Sequence, residues 1–250
     1  MSRLRKEPRL RTADKIPPPY PLNDFPKQFG LEVGRQVIYI LATKPTPSLE
    51  GEEWEEIFAH AIGAEWKPSN VGLDDIVLDN CAWGAKTVYN SRPWTCTNVR
   101  LISGRNSPVF SYGDTVSTDH DPAEVGRQVV DIWNARVDSV RAKYKHVRTV
   151  VLIKSPDLLK LSVFEFETIR YAPELYDWTW NNRGNLEGHR DGKHYFTWQP
   201  HGSQFTIKEY PPKQRLCIEL KPPGKIPQDT LLRAIGFDES WVKIHTKKQT

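Results

Sequence analysis

The most regular alternation of apolar and polar positions lies at 122–144, where Val125, Val129, Ile132, Val137, Val140 and Tyr144 recur three and four residues apart. That spacing gathers apolar side chains onto one stripe of an α-helix. Asp121 can cap this helix, and Pro122 fits its first position, where a backbone N–H has no intrahelical partner. A second stripe, Trp54, Ile57, Phe58, Ala61 and Ile62, predicts a helix that starts at Ser48 or Gly51, after a breaker at 45–48. Within 31–43 the run VIYILAT suits a core helix or a strand, because periodicity does not separate the two at this length.

Strands are expected elsewhere. At 72–88 the sequence GLDDIVLDNCAWGAKTV carries Ile76, Val77 and Leu78, turns through Asp79, Asn80 and Cys81, and returns as a second strand holding Lys86, which reads as a hairpin. Further strands are expected at 98–102, in RTVVLIK at 148–154, at 160–171, and in the short pieces FTWQ, SQFTI and RLCIEL. The segment SGRNSPVFSYGD reads as a loop, and a short helix is expected around 228–235 after Pro222, Pro223 and Pro227. A strand, a long helix and a further strand in succession imply an α/β (α+β) class, with a mixed central sheet flanked by helices.

Composition narrows the picture. A chain of 250 residues suffices for one large domain. Residues 1–28 read as a basic, proline-rich arm (Arg3, Arg5, Lys6, Arg9, Arg11, Lys15, then Pro17, Pro18, Pro19 and Pro21), which either settles on phosphates or is a solvated tail; 29–250 read as a single domain. No apolar run approaches the roughly 20 residues that span a bilayer, and the N-terminus has no apolar signal core, so a cytoplasmic protein with no membrane partner is expected. Cys81, Cys96 and Cys217 are too few and too widely spaced for a disulfide framework or a zinc site. A net charge of +4 permits a nucleic-acid partner without requiring one.

Chemistry concentrates in two places. In the hairpin, Asp75 opens the first strand and Lys86 lies within the second; a carboxylate and an amine there can hold a divalent cation against a phosphate and activate water. In the last third, Asn182, Arg183, His189, Asp191, His194, Gln199, His201 and Gln204 stand among glycines on loops and short strands, a density of donors and acceptors suited to reading bases. Arg105 and Asn106 offer the guanine- and adenine-reading side chains in an earlier loop. The histidines match no HExxH or zinc spacing and are read as exposed or core-satisfied.

A glycine-led helix with the pair Trp54-Glu55, then a loop, an Asp-led apolar strand and a strand bearing Lys86 resembles the PD-(D/E)xK nuclease superfamily over residues 50–90, and most resembles its type II restriction endonucleases. The resemblance implies a restriction-endonuclease-like core at about 50–170, with extra C-terminal strands and loops at about 175–222 for recognition. It implies Mg²⁺ held by Asp75, Glu55 and the carbonyl of Ala85, with Lys86 as the catalytic amine. Double-stranded DNA is the implied substrate, read by Arg105, Asn106, Asn182, Arg183, Gln199, His201 and Gln204, and a homodimer suits a palindromic target. One position departs from the family pattern: Gly84 stands two residues before Lys86, where an acid is usual. Either Glu55, with Glu52 and Glu56 as alternatives, replaces that acid, or the chain is a DNA-binding protein of the same fold that does not cut. A lectin-like use of the tryptophan-rich C-terminal part leaves the basic arm and the hairpin without a role.

Overall fold

The computed structural model describes residues 16–69 and 71–245; the basic residues of the expected arm, Arg3 to Lys15, lie outside them. Residues 16–26 carry no helix or strand, as their prolines dictate, yet they are pinned to the body. Tyr20 stacks on Trp83 and donates to Glu165, while Asn23 exchanges backbone and side-chain hydrogen bonds with the same residue. Glu165 is itself buried against Arg148 and accepts from Trp83 Nε1 at 2.6 Å, so its charge is matched and hydrogen-bonded.

The ambiguous run becomes helix α1 (Phe29–Thr43), and the second stripe becomes α2 (Gly51–Ile62). Glu50 and Glu53 close a capping box at the start of α2, which accounts for one of its clustered glutamates. Strands β1 (Glu65–Trp66), β2 (Ile76–Leu78) and β3 (Cys81–Tyr89) follow, then β4 (Val99–Arg105), the short helix α3 (Pro108–Tyr112) and the long helix α4 (Pro122–Arg141). The expected loop after Ile102 is thus the end of a strand and a helical turn. Asp121 caps α4 through the Ala123 N–H, and Pro122 opens it, as its sequence requires. Beyond it come β5 (His146–Lys154), β6 (Lys160–Glu167), β7 (Asp177–Trp180), β8 (Leu186–Arg190), β9 (Lys193–Gln199), β10 (Gln204–Glu209), β11 (Leu216–Glu219) and α5 (Gln228–Ala234).

The strands form two sheets. The first runs β1-β2-β3-β5-β6-β11 and is mixed, with β3 and β5 parallel and joined across α4; the second is the antiparallel meander β4-β10-β9-β8-β7. One face of the first sheet buries Trp83, Ala85, Val150 and Leu152 beneath α1 and α2. Its other face meets α4, and the second sheet closes over α4 with Leu186, Phe196, Trp198, Phe205 and Ile207. The fold is therefore mixed α and β with helices on both faces of the first sheet. Of the C-terminal strands only β11 extends that sheet, along β6; β7 to β10 take up β4 and build a second one. Among the described residues no helix is long and apolar enough to cross a membrane.

Candidate active site and groove

Strand alternation decides which side chains of the hairpin meet. Cys81, Trp83 and Ala85 enter the core under α1 and α2, while Ala82 packs with the α4 side, so Gly84 and Lys86 share that second face. On β2, Ile76 goes to the first core and Val77 to the second, which turns the preceding Asp75 toward the Lys86 face as well. Asp75 is buried, and its Oδ1 accepts the Ser69 N–H at 2.9 Å. Its neighbour Asp74 is committed elsewhere, accepting from Ser69 Oγ at 2.6 Å and pairing with Lys143 at 3.3 Å. Of the two adjacent aspartates, Asp75 is the one coupled to Lys86.

Glu55 comes from α2, on the opposite face, and is tied to edge strand β1 by a 3.3 Å hydrogen bond from Trp66 Nε1. It nevertheless belongs to the same electrostatic cluster. Burial raises the Glu55 pKa; Trp66 opposes this, Asp75 raises it further and Lys86 lowers it. Burial also raises Asp75, against the Ser69 N–H and Lys86. Lys86 is lowered by burial, with Asp75 and then Glu55 holding its charge. Glu53 is held by Lys44, and Glu56 faces a separate hollow beside Tyr39 and His60. Ala85 lies on β3 beyond Trp83, the last residue that β2 pairs, so on that edge no strand of the described residues takes up its backbone.

Two desolvated carboxylates, one of which raises the pKa of the other, are oxygen donors of the kind that a hard cation such as Mg²⁺ takes. The glycine at 84 has a steric ground. A Cβ at Gly84 would lie 2.8 Å from the Gly72 carbonyl oxygen and 3.2 Å from the Leu73 Cα. The chain leading to Asp75 occupies the space that a side chain at 84 would need.

Lys86 opens into a cleft of about 400 Å³ between β3 and β4, lined also by Tyr89, Asn90, Asn98, Arg100 and Ile102. Arg100 lines a second depression of about 370 Å³, shared with Asn182, Arg183, Glu187, His194 and Gln199. One exposed arginine thus connects the amine with the polar face of the second sheet. Gln204 pairs with Arg105 on one side and Gln199 on the other, and the β7–β8 and β9–β10 turns that carry Asn182, Arg183 and His201 lie at that same end. Arg105, Asn182, Arg183 and His201 are exposed there; Gln199 and Gln204 are half-buried.

Asn106 does not belong with them. It is fully buried: its Nδ2 donates to Val129 O at 2.9 Å, its Oδ1 accepts from Arg136, and its carbonyl accepts from Trp198 Nε1. It fastens α4 to the second sheet, so no base can reach it. Three polar residues of α4 are likewise committed to the protein itself. Asn134 exchanges hydrogen bonds with the Tyr171 backbone, Arg141 donates to Thr168 O, and Arg136 donates to Ser103 O at 2.7 Å and to Val71 O.

Arg100 and Lys208, register partners on β4 and β10, are not among the residues expected from sequence. The alternation in VRLIS, with Val99 and Leu101 buried between exposed Arg100 and Ile102, is the signal that exposes Arg100. No protein-family model, curated protein or solved structure matches this chain.

Proposed function

We propose that this chain is a Mg²⁺-dependent, sequence-specific endonuclease of double-stranded DNA, of the type II restriction class. The observation that carries the reading is the electrostatic coupling of Asp75 and Glu55 with Lys86, whose side chain lines a cleft that meets a second depression at Arg100. Asp75 and Glu55, with the Ala85 carbonyl, would hold the ion. When bound it supplies Lewis-acid polarisation of the scissile phosphate. Lys86, its pKa lowered by burial, is suited to taking a proton from the attacking water and to facing the charge that develops on phosphorus oxygens. Arg100, Lys208 and Arg183 would sit on backbone phosphates, and Asn182, Gln199, His201, Gln204 and Arg105 would face base edges. On a palindromic target two copies would act about a two-fold axis.

A second reading, a DNA-binding protein that does not cut, is favoured by Gly84, where the packing of Gly72 forbids the usual acid. Plasmid and mixed genomic DNA incubated with the purified chain and Mg²⁺ separate the two. Discrete cuts that vanish in Lys86→Ala support the enzyme; salt-sensitive binding with no cutting of modified or unmodified DNA supports the binder. Absence of both cutting and binding removes DNA as the partner.

A further inference from the structure

The β8–β9 hairpin holds a cluster that the endonuclease reading does not use. Glu187, His189 and His194 are all half-buried, and each offers a ligand atom within 4.8 Å of the other two. Their spacing along the chain matches no metal motif, because an irregularity in strand pairing brings them together. Gly188 pairs with Phe196, but His189 pairs with His194, so Tyr195 is an extra residue on β9. Without it, His194 would follow Phe196 toward the core. The bulge re-aims His194 to the outward face, where it lines the same depression as Glu187, Thr197 and Gln199.

The surroundings prepare these side chains as ligands. His194 Nε2 lies 2.7 Å from Phe196 O, an acceptor that fixes the proton on that nitrogen and leaves the lone pair on Nδ1. A second ring N–H given to a backbone carbonyl is the usual support of a metal-bound histidine. Glu187 Oε1 accepts from Asn181 Nδ2 at 2.7 Å, which fixes the carboxylate and leaves Oε2 toward His189. His189 Nε2 and Glu187 Oε2 stand 3.7 Å apart, too far for a good hydrogen bond. Two ligands of one tetrahedral zinc ion, each about 2.0 Å from it, are about 3.3 Å apart. The Glu187–His189 pair therefore stands about 0.4 Å wider than two ligands of one ion.

We propose that Glu187, His189 and His194 form a site for a zinc-class divalent cation, with three protein ligands and a fourth position open to the depression beside Arg183 and Arg100. Imidazole and carboxylate donors suit Zn²⁺, and three ligands with an open position leave room for water or an anionic oxygen. The site is distinct in donor type from the all-oxygen set at Asp75 and does not depend on DNA cleavage.

The test uses the full chain stripped of metal and titrated with Zn²⁺ alone by calorimetry, and with Co²⁺ followed by its visible absorption. One equivalent bound per chain with a tetrahedral Co²⁺ spectrum is expected. Binding should weaken at least about tenfold, the loss already typical of an outer-shell partner, in His189→Ala, His194→Ala and Glu187→Gln, and persist in Asp75→Asn. Histidine side-chain ¹⁵N shifts of the native chain give a readout that needs no variant: Zn²⁺ should move His189 and His194 but not His120 or His201. No Zn²⁺ binding by the native chain, unchanged affinity in folded His189→Ala and His194→Ala, or shifts confined to other histidines would each overturn the proposal.

Discussion

Gly84 and Gly72 touch through backbone: a Cβ on the first would sit 2.8 Å from the carbonyl oxygen of the second. Real Cβ atoms do not approach backbone oxygen so closely, and neither neighbour is a flexible side-chain tip that can swing away. Gly84→Ala should therefore cost about 1–3 kcal/mol, the range for overpacking a filled interior, measured by denaturant unfolding. Gly84→Glu, which puts an acid two residues before Lys86, should destabilise at least as much and not raise cleavage. A stable Gly84→Glu with higher Mg²⁺-dependent activity would mean that the 72–73 segment yields.

Lys86 has two carboxylates holding its charge against burial. Under the endonuclease reading, Lys86→Ala should lower the single-turnover cleavage rate by about 10²–10⁴-fold, as expected for loss of a positioned proton acceptor, while DNA affinity by fluorescence anisotropy changes little. Because its pKa lies below the ordinary 10.5, the neutral amine gains population at lower pH than in an exposed lysine. Cleavage by the native chain should accordingly rise with pH below 10.5, and the residual activity of Lys86→Ala should lose that rise. Equal loss of binding and cleavage would make Lys86 a phosphate contact instead.

Arg136 ties the strand behind the groove to the loop before Asp75. Its guanidinium donates to Ser103 O, Asn106 Oδ1 and Val71 O, and a Cβ on Gly104 would fall 2.5 Å from its Nη1. Arg136→Ala leaves buried carbonyls without donors, so it should cost about 2–4 kcal/mol, as removing charged hydrogen-bond donors from interior acceptors does. Amide exchange should accelerate at Val71 to Ile76 before the rest of the first sheet. Uniform acceleration across the molecule would show that the residue supports the fold without locally holding the loop.

Arg100 and Asn106 are predicted to behave in opposite ways. Arg100 is exposed and lines both depressions, so Arg100→Ala should leave stability unchanged, weaken DNA binding and reduce the slope of log K against log salt by about 1, the signature of one lost phosphate contact. Asn106 is buried between α4 and Trp198, so Asn106→Ala should lower the melting temperature without shifting sequence preference. Salt titrations of both variants beside thermal melts decide each case.

The contrast between these two residues shows what a sequence carries. Asn106 sits among Gly, Ser and Pro, the composition of an exposed loop, and only the closure of the second sheet over α4 buries it. Helix α4 was legible because its cap, its proline and its stripe are local features, and the hairpin was legible because its turn lies within it. The departure of β4 from β3 to pair with β10 was not legible, since the partner is about a hundred residues away and neither strand's alternation names it. The same holds for His189 and His194: their encounter depends on the one-residue bulge at Tyr195, which periodicity does not reveal. The Asp75 and Lys86 relationship was readable because alternation on two adjacent strands places both on one face. The position of Glu55, on a helix covering the other face, needed the tertiary structure.

Glu209 gives the molecule a pH dependence separate from any catalysis. At the end of β10, burial pushes its carboxyl up to about 7, against the opposing pull of the Tyr210 N–H and the Tyr171 side chain. The folded pKa lies above the ordinary 4.5, so between these values the native state holds a proton that the unfolded chain has released. Its contribution is therefore complete below pH 4.5 and is lost as pH rises through 7, by up to about 3 kcal/mol at the rate of 1.36 kcal/mol per pKa unit. Glu55, Asp75 and Glu165 are also raised and tilt the profile the same way, so the measurement must be a difference. Urea unfolding of the native chain and Glu209→Gln across pH 4.5–8 should give curves that diverge as pH rises, the amide variant becoming the more stable above pH 7. Parallel curves would mean that Glu209 titrates as an ordinary carboxylate, with water reaching it at the sheet edge.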